Sequence, residues 1–224
     1  MRPSPAATLD PSPGISQFSG CHAGATIGGA WSHLNITDIG YRGFPFAARG
    51  AAGQVFSANG SAIQGGGQFG CDMNAAKFLI GTEASLGGLG LTASSLDPGT
   101  ASNTKVGIKG GLNGGITERF GLRRGRSLLY GKGGWAFFNG KQSLTTSSPD
   151  YASSTDFGLF SGLQVGAGME YHVRSRWTAR IEYAYDWFPS QTFNTVNTFG
   201  QIYPFGEKLS LNNIGLGINY YFKH

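Results

Sequence analysis

Residue types that carry catalysis or bind metals are sparse in this sequence. Its four histidines are His22, His33, His172 and His224, and it has no CxxC motif or cysteine–histidine cluster. Zinc sites need such groups at short spacings, and nucleophilic catalysis needs a serine or cysteine beside a base. We see no such set, and we therefore expect no enzymatic activity, no bound metal and no cofactor.

Six charged residues are the better candidates for a shared chemical role. They stand at alternate positions of apolar segments, among Gly, Asn, Gln and Thr: Glu83, Lys109, Lys132, Glu170, Arg180 and Glu182. Alternate residues of a strand face one side of a sheet. If these segments are strands of one closed sheet, the six side chains share its interior, where they could form ion pairs or line a narrow path for ions.

The last segment of the chain shows the alternation most clearly. In "NIGLGINYYF" the apolar residues Ile214, Leu216, Ile218, Tyr220 and Phe222 point one way, and glycine and asparagine dominate the other face. Period-two alternation indicates a β-strand. The bulky apolar face opposite a nearly bare one raises the question of which solvent the apolar face meets.

Composition indicates lipid as that solvent. Glycine makes up 38 of 224 residues and charged residues are 13% of the chain, about twice and half their usual shares. No run of about 18 apolar residues is present, as a transmembrane helix would need. A membrane β-barrel fits, because only every second residue of its strands has to be apolar.

Eight segments of about ten residues alternate in this way, as strands that cross a bilayer at a tilt require. The connections between them are alternately short and long, and the long ones cover residues 32–62, 87–104, 139–159 and 188–210. Short turns at one end and long loops at the other are typical of outer-membrane barrels. We predict an all-β, eight-stranded antiparallel transmembrane up-and-down barrel over residues 17–224, with periplasmic termini and extracellular long loops.

Aromatic residues fall near the strand ends on the apolar face, where they are expected to lie at the membrane–water interfaces. This set comprises Trp31, Tyr171, Trp177, Tyr183, Tyr185, Trp187, Tyr220 and Phe222.

The interior of an eight-stranded barrel is just wide enough for side chains to fill it. We therefore expect the six charged residues to form a paired, polar core, with Arg180 at its centre between Glu170 and Glu182. The basic stretch "ERFGLRRGR", which contains Arg119, is expected to be a solvated turn.

The two cysteines, Cys21 and Cys71, share a face at neighbouring ends of the first two predicted strands. In an oxidising periplasm they are expected to form a disulfide, and two free thiols out of register are the alternative. Residues 1–16 are rich in Pro and Ser without an apolar core, so we expect a disordered lead-in and a signal peptide that has been removed.

Several stretches resemble the porin-like outer-membrane protein family of alphaproteobacteria, which includes major surface antigens and hemin-binding proteins. They are "FSGCHAGATIGGAW", "GGGQFGCDMNAAKFLIGTEASL", "LLYGKGGWAF", "VGAGMEYHVRSRWTARIEYAY" and "IGLGINYYF", and the resemblance covers most of residues 17–222. It implies an eight-stranded barrel in the Gram-negative outer membrane, with Glu83 as the family's glutamate of the third strand. Lys109 and Gly111 stand where the family often has two arginines, which predicts a reduced set of interior charges.

Two functions follow from these features. The first is a structural surface protein that stabilises the envelope and contacts lipid and lipopolysaccharide, with other envelope proteins or copies of itself as further partners and no nucleic acid. The second is transport or binding, either as a porin for small solutes or as a hemin receptor. A receptor would need grouped donors in the long loops, whereas His33, Tyr41, Tyr151 and Tyr203 are scattered.

Overall fold

The computed structural model describes residues 18–39, 53–96, 105–145, 154–196 and 202–222. The predicted lead-in of residues 1–16 lies outside the described residues. Nine strands are present in the described ranges: β1 (Gly20–Asp38), β2 (Val55–Ala75), β3 (Phe78–Leu96), β4 (Lys105–Arg124), β5 (Ser127–Thr145), β6 (Ser154–Arg174), β7 (Trp177–Trp187), β8 (Gln191–Val196) and β9 (Ile202–Tyr221). The described residues include no helix that could span a bilayer.

Eight of the strands form a closed antiparallel ring, which confirms the predicted fold. Strands β1 to β7 pair in chain order, β7 pairs with β9, and β9 pairs back with β1. The short strand β8 pairs with β9 directly beyond β7, so β7 and β8 follow each other along the same edge of β9. They are one barrel strand, interrupted at residues 188–190.

The register shows how steeply the strands are tilted. Cys21 pairs with Cys71, and the line of paired residues then runs through Thr82 on β3 and onward around the ring. It returns to β1 at Trp31, ten residues beyond its start. In a barrel of eight strands, a stagger of ten residues corresponds to a strand tilt of about 40° from the barrel axis.

Three tight turns join strands at one end, called here the short-turn end. They lie at Ala76–Lys77, Gly125–Arg126 and Ser175–Arg176, and the first residue of each has a positive φ, at 57°, 60° and 51°. Both ends of the described chain, Phe18 and Phe222, lie at this end. The opposite end carries the longer connections and is called the long-connection end.

The strands are about twice as long as predicted, and the predicted loop boundaries are wrong for this reason. Most strands have 19 to 21 residues. Strand continues into every interval predicted as a loop, and residues 188–210 contain all of β8 and half of β9. Beyond the lipid-facing part of each strand, the apolar residues face inward and the polar ones face outward. A prediction that looks for apolar residues on the outer face therefore ends each strand too early.

The outer face of the middle of the barrel is apolar, as predicted. Large exposed side chains there include Ile27, Phe69, Leu86, Leu163 and Leu216. Glu118 is a charged residue on this surface, and its carboxylate accepts a hydrogen bond from Thr82 Oγ1 at 2.9 Å. We call this surface the apolar band.

The eight aromatic residues predicted for the interfaces all lie on the outer face of the barrel. Trp177 and Tyr220 pack edge to face near the short-turn end, with ring centroids 5.1 Å apart. Trp31 and Trp187 lie on the other side of the apolar band. Beyond them the outer face is polar, and the cross-strand hydrogen bonds His33–Asn59 and Asn35–Ser57 measure 2.7 and 2.8 Å.

Candidate functional site: the barrel interior

The interior is organised in layers that the strand register stacks from one end to the other. At the short-turn end lies a small apolar seal of Phe18, Leu79, Leu128, Tyr130 and Tyr221. Next comes a group of paired charges, which we call the charge cluster: His22, Asp72, Glu83, Arg119, Lys132, Glu170, Arg180 and Glu182. A polar chamber follows, and an apolar layer fills the long-connection end.

Glu83 on β3 accepts contacts from three different cations. Arg180 Nη1 lies 2.6 Å from its Oε2, Lys132 Nζ lies 3.5 Å from its Oε1, and Arg119 Nη1 lies 3.5 Å from its Oε2. These partners come from β7, β5 and β4, so this one carboxylate ties opposite sides of the ring together.

Glu182 is the second carboxylate that Lys132 and Arg180 share. Its oxygens lie 2.6 Å from Lys132 Nζ and 3.1 Å from Arg180 Nη2, and it accepts a hydrogen bond from the Tyr130 hydroxyl at 2.7 Å. Each cation thus bridges two carboxylates, an arrangement that satisfies several donors of a buried guanidinium at once.

Arg119 on β4 is the largest fully buried side chain among the described residues. Its Nη2 lies 2.9 Å from Glu170 Oε2, and its Nη1 lies 3.4 Å from Asp72 Oδ2. The guanidinium also sits over the Tyr130 ring, 4.3 Å from its centroid. Desolvating a cation is costly unless such partners surround it.

Neutral donors complete the hydrogen bonding of Glu170. Its Oε1 accepts from Thr178 Oγ1, from Asn219 Nδ2 at 3.0 Å and from the Tyr221 hydroxyl at 3.1 Å. The imidazole of His22 lies between Asp72 and Glu83, 3.4 and 3.5 Å from their oxygens. The short-turn side of the charge cluster is therefore closed by hydrogen-bonded side chains.

Five of the six predicted interior charges lie in this cluster: Glu83, Lys132, Glu170, Arg180 and Glu182. Lys109 does not, and its predicted position is wrong. Relative to β5, strand β4 carries one extra residue between Lys109 and Leu112, and its register to β3 shifts at the same place. A bulge of one residue reverses which alternate positions face inward, so Lys109 is exposed and Ile108 is buried.

Sequence reasoning missed three members of the cluster. Arg119 was expected in a solvated turn, yet β4 continues to Arg124 and its inward positions include Thr117 and Arg119. His22 and Asp72 were placed on inward faces without a role. Arg180 is not the only centre either, since Glu170 is bound by Arg119. The smaller set of interior charges that Lys109 and Gly111 implied relative to the family stays a prediction, but Arg119 adds a buried cation on this strand.

The apolar layer was not predicted. It contains 17 buried side chains, and its centre is a row of three aromatic rings, Phe138, Phe160 and Phe188, with successive centroids 6.3 and 6.1 Å apart. This layer lies at the level where the outer face is polar. That half of the barrel therefore has the pattern of a water-soluble barrel.

One carboxyl group is buried next to this layer. Glu207 lies on β9 beyond the level of Trp31 and Trp187, outside the membrane-spanning part of the strand. Its Oε2 accepts a hydrogen bond from Gln142 Nε2 at 2.7 Å, and its Oε1 has no partner. Burial raises the pKa of Glu207 to about 7, and the Gln142 hydrogen bond opposes that rise only in part.

The disulfide is present as predicted. Cys21 and Cys71 are directly paired residues of β1 and β2, joined on the outer face near the short-turn end. Of the hemin donors that were considered, His33 bonds to Asn59 and Tyr203 is on β9. Tyr41 and Tyr151 lie outside the described residues.

Comparison with known proteins agrees with this architecture. The outer membrane protein beta-barrel domain family matches residues 15–222. A 22 kDa outer membrane protein of Rhizobium leguminosarum bv. viciae is 31% identical over 176 residues, which are 79% of this chain and 69% of that protein.

Two solved structures share the fold at low sequence identity. The outer membrane protein OprG from Pseudomonas aeruginosa has a TM-score of 0.53 and 14% identity, with 93% of this chain and 99% of OprG covered. The outer membrane protease OmpT from Escherichia coli has a TM-score of 0.52 and 9% identity, with 93% and 100% covered.

Proposed function

Because the chain belongs to the outer membrane protein beta-barrel domain family, we propose that it is a structural protein of the bacterial outer membrane with a closed interior. In this role it stabilises the envelope and presents its longer connections at the cell surface. It is neither an enzyme nor an open porin.

The succession of seals in the interior carries this proposal. A solute entering from the short-turn end would have to displace Phe18 and Tyr221 and then the charge cluster. From the other end it would have to pass Phe138, Phe160 and Phe188, all of them fully buried. Separating buried ion pairs leaves uncompensated charges, which costs several kcal/mol, and the aromatic row offers no polar partner to a hydrated ion.

The orientation in the membrane is part of the proposal. Outer-membrane barrels have short periplasmic turns and longer extracellular loops. The turns at Ala76, Gly125 and Ser175, together with both ends of the described chain, would therefore face the periplasm. The two sets of outward aromatic residues would mark the two membrane interfaces, and lipid and lipopolysaccharide would be the principal partners.

The arrangement of the acidic side chains supports a role without catalysis. Glu83, Glu170 and Glu182 are each engaged by a cation at 2.9 Å or less. A catalytic acid or base must reach a substrate within hydrogen-bond distance, and these groups lie behind the seals.

Single-channel recording in planar bilayers tests the proposal. In salt solution we expect the folded protein to give no large, stable channel openings. A 16-stranded porin inserted in the same way is the positive control. Removing one closure, as in the double variant Phe138→Ala/Phe160→Ala, should leave the recording quiet, because the charge cluster remains. Large, stable openings of the unmodified protein would contradict the structural role and support a porin instead.

A further inference from the structure

A polar chamber lies between the charge cluster and the apolar layer. Its cavity volume is about 100 Å³, and oxygen-bearing side chains line much of it: Gln64, Asn113, Gln164, Asp186 and Asn213. Lys132, Arg180 and Glu182 line it on the side of the charge cluster.

The Asp186 carboxylate is held by amide groups. Gln164 Nε2 donates to its Oδ1 at 2.6 Å, and Asn213 Nδ2 donates to its Oδ2 at 2.9 Å. Asp186 is 4% exposed, and it takes part in none of the ion pairs found among the described residues. A buried ionised carboxylate without a counter-charge is costly, so an ionised Asp186 needs a cation beside it.

The amide oxygens around Asp186 lack partners as well. Because their nitrogen atoms face the carboxylate, Gln164 Oε1 and Asn213 Oδ1 are left without a hydrogen bond, and so is Asn113 Oδ1 from the opposite side of the chamber. Asn213 is 7% exposed. Buried polar atoms without partners are rare, and each one calls for a bound water or ion.

The cations of the neighbouring cluster are already paired with its own acids. Its acids, Asp72, Glu83, Glu170 and Glu182, outnumber its permanent cations Arg119, Lys132 and Arg180 by one. Both Lys132 and Arg180 already bridge Glu83 and Glu182. Counting only these permanent charges, the cluster has one excess negative charge before Asp186 is added.

We propose that the chamber binds a monovalent metal cation, Na⁺ or K⁺, through the Asp186 carboxylate and the amide oxygens of Gln164, Asn213 and Asn113. One formal negative charge with neutral carbonyl oxygens matches a single positive charge. Oxygen dipoles of this kind replace the hydration shell of alkali ions in other membrane proteins. The described residues contain no group of three His, Cys, Asp or Glu side chains that could hold a metal, so a transition-metal site is not the alternative here.

Ion-dependent unfolding is the first test. The protein in detergent micelles is unfolded with urea in mixtures of NaCl or KCl with choline chloride, at one total ionic strength. A ligand that binds only the folded state stabilises it as its concentration rises. We expect the urea midpoint to rise with the concentration of Na⁺ or K⁺ but not of choline. Asp186→Asn should lose this dependence, and the control Glu207→Gln, outside the chamber, should keep it. Equal midpoints in all three salts would overturn the proposal.

Crystals supply a second test that does not need a folded variant. Soaking crystals of the unmodified protein with Rb⁺ or Tl⁺, heavier ions of the same charge, should give an anomalous peak in the chamber beside Asp186. Peaks confined to the surface, with only water in the chamber, would overturn the proposal and indicate that a proton neutralises Asp186.

Discussion

Arg119 on β4 and Glu170 on β6 are bonded across the barrel interior, with Nη2 and Oε2 2.9 Å apart. The two strands are not neighbours, since β5 lies between them, so the contact spans part of the ring. Pairs of this kind tie the wall together from inside, in addition to the backbone hydrogen bonds that hold adjacent strands.

Replacing Arg119 by alanine should therefore destabilise the barrel strongly. The change leaves Glu170 and Asp72 buried without their cation, which typically costs about 3–5 kcal/mol. Urea unfolding in lipid vesicles measures the loss. Lys109→Ala on the same strand is the matched control, because Lys109 is exposed, and its effect should stay within about 0.5 kcal/mol. Similar losses in both variants would contradict the placement of the two residues.

The pH dependence of stability should show the burial of Glu207. Its pKa is about 7 in the folded protein and near 4.5 in the unfolded chain, so the folded state binds more protons between these values. Stability from this group is therefore greatest below pH 4.5 and falls as the pH rises to 7. Comparing the unmodified protein with Glu207→Gln isolates the contribution of this group. We expect about equal free energies of unfolding at pH 4, whereas at pH 8 the variant should be more stable by about 3 kcal/mol. A constant difference across this range would show that Glu207 titrates normally.

The disulfide should stabilise the protein mainly by restricting the unfolded chain, rather than by contacts in the folded barrel. Cys21 and Cys71 are 50 residues apart in sequence, and closing such a loop in the unfolded state is worth up to about 4 kcal/mol in chain-entropy terms. The double variant Cys21→Ser/Cys71→Ser should still migrate as a heat-modifiable barrel, but its urea midpoint should fall. An unfolded double variant would mean that the bond is needed for assembly itself.

Replacement by alanine should affect two adjacent glycines of β1 differently. A Cβ atom at Gly28, which faces the interior, would lie 1.9 Å from the Ile214 carbonyl oxygen, whereas one at Gly29 would meet nothing closer than 3.9 Å. Gly28→Ala should therefore force β1 away from β9 and lower the yield of folded barrel. Gly29→Ala should fold normally, and equal yields would show that the β1–β9 contact can adjust.

The sequence was sufficient to predict the barrel because alternation is a local property that survives in any register. Glu83, Glu170 and Glu182 were placed inside on that basis alone. Lys109 was not placed correctly, because the bulge at Gly110–Gly111 depends on how β4 pairs with both neighbours. Arg119 was missed because nearby arginines made its segment look like a solvated turn.

The inversion of the strand pattern has a consequence for how the protein responds to its surroundings. Around Ile27 and Leu216, stability depends on how well the height of the apolar band matches the thickness of the bilayer, so thinner or thicker membranes change the free energy of unfolding. Around Phe138 and Phe160, stability comes from excluding water, as in soluble proteins. Denaturant should therefore act first on the aromatic half, whereas a change of bilayer thickness should act first on the lipid-facing half.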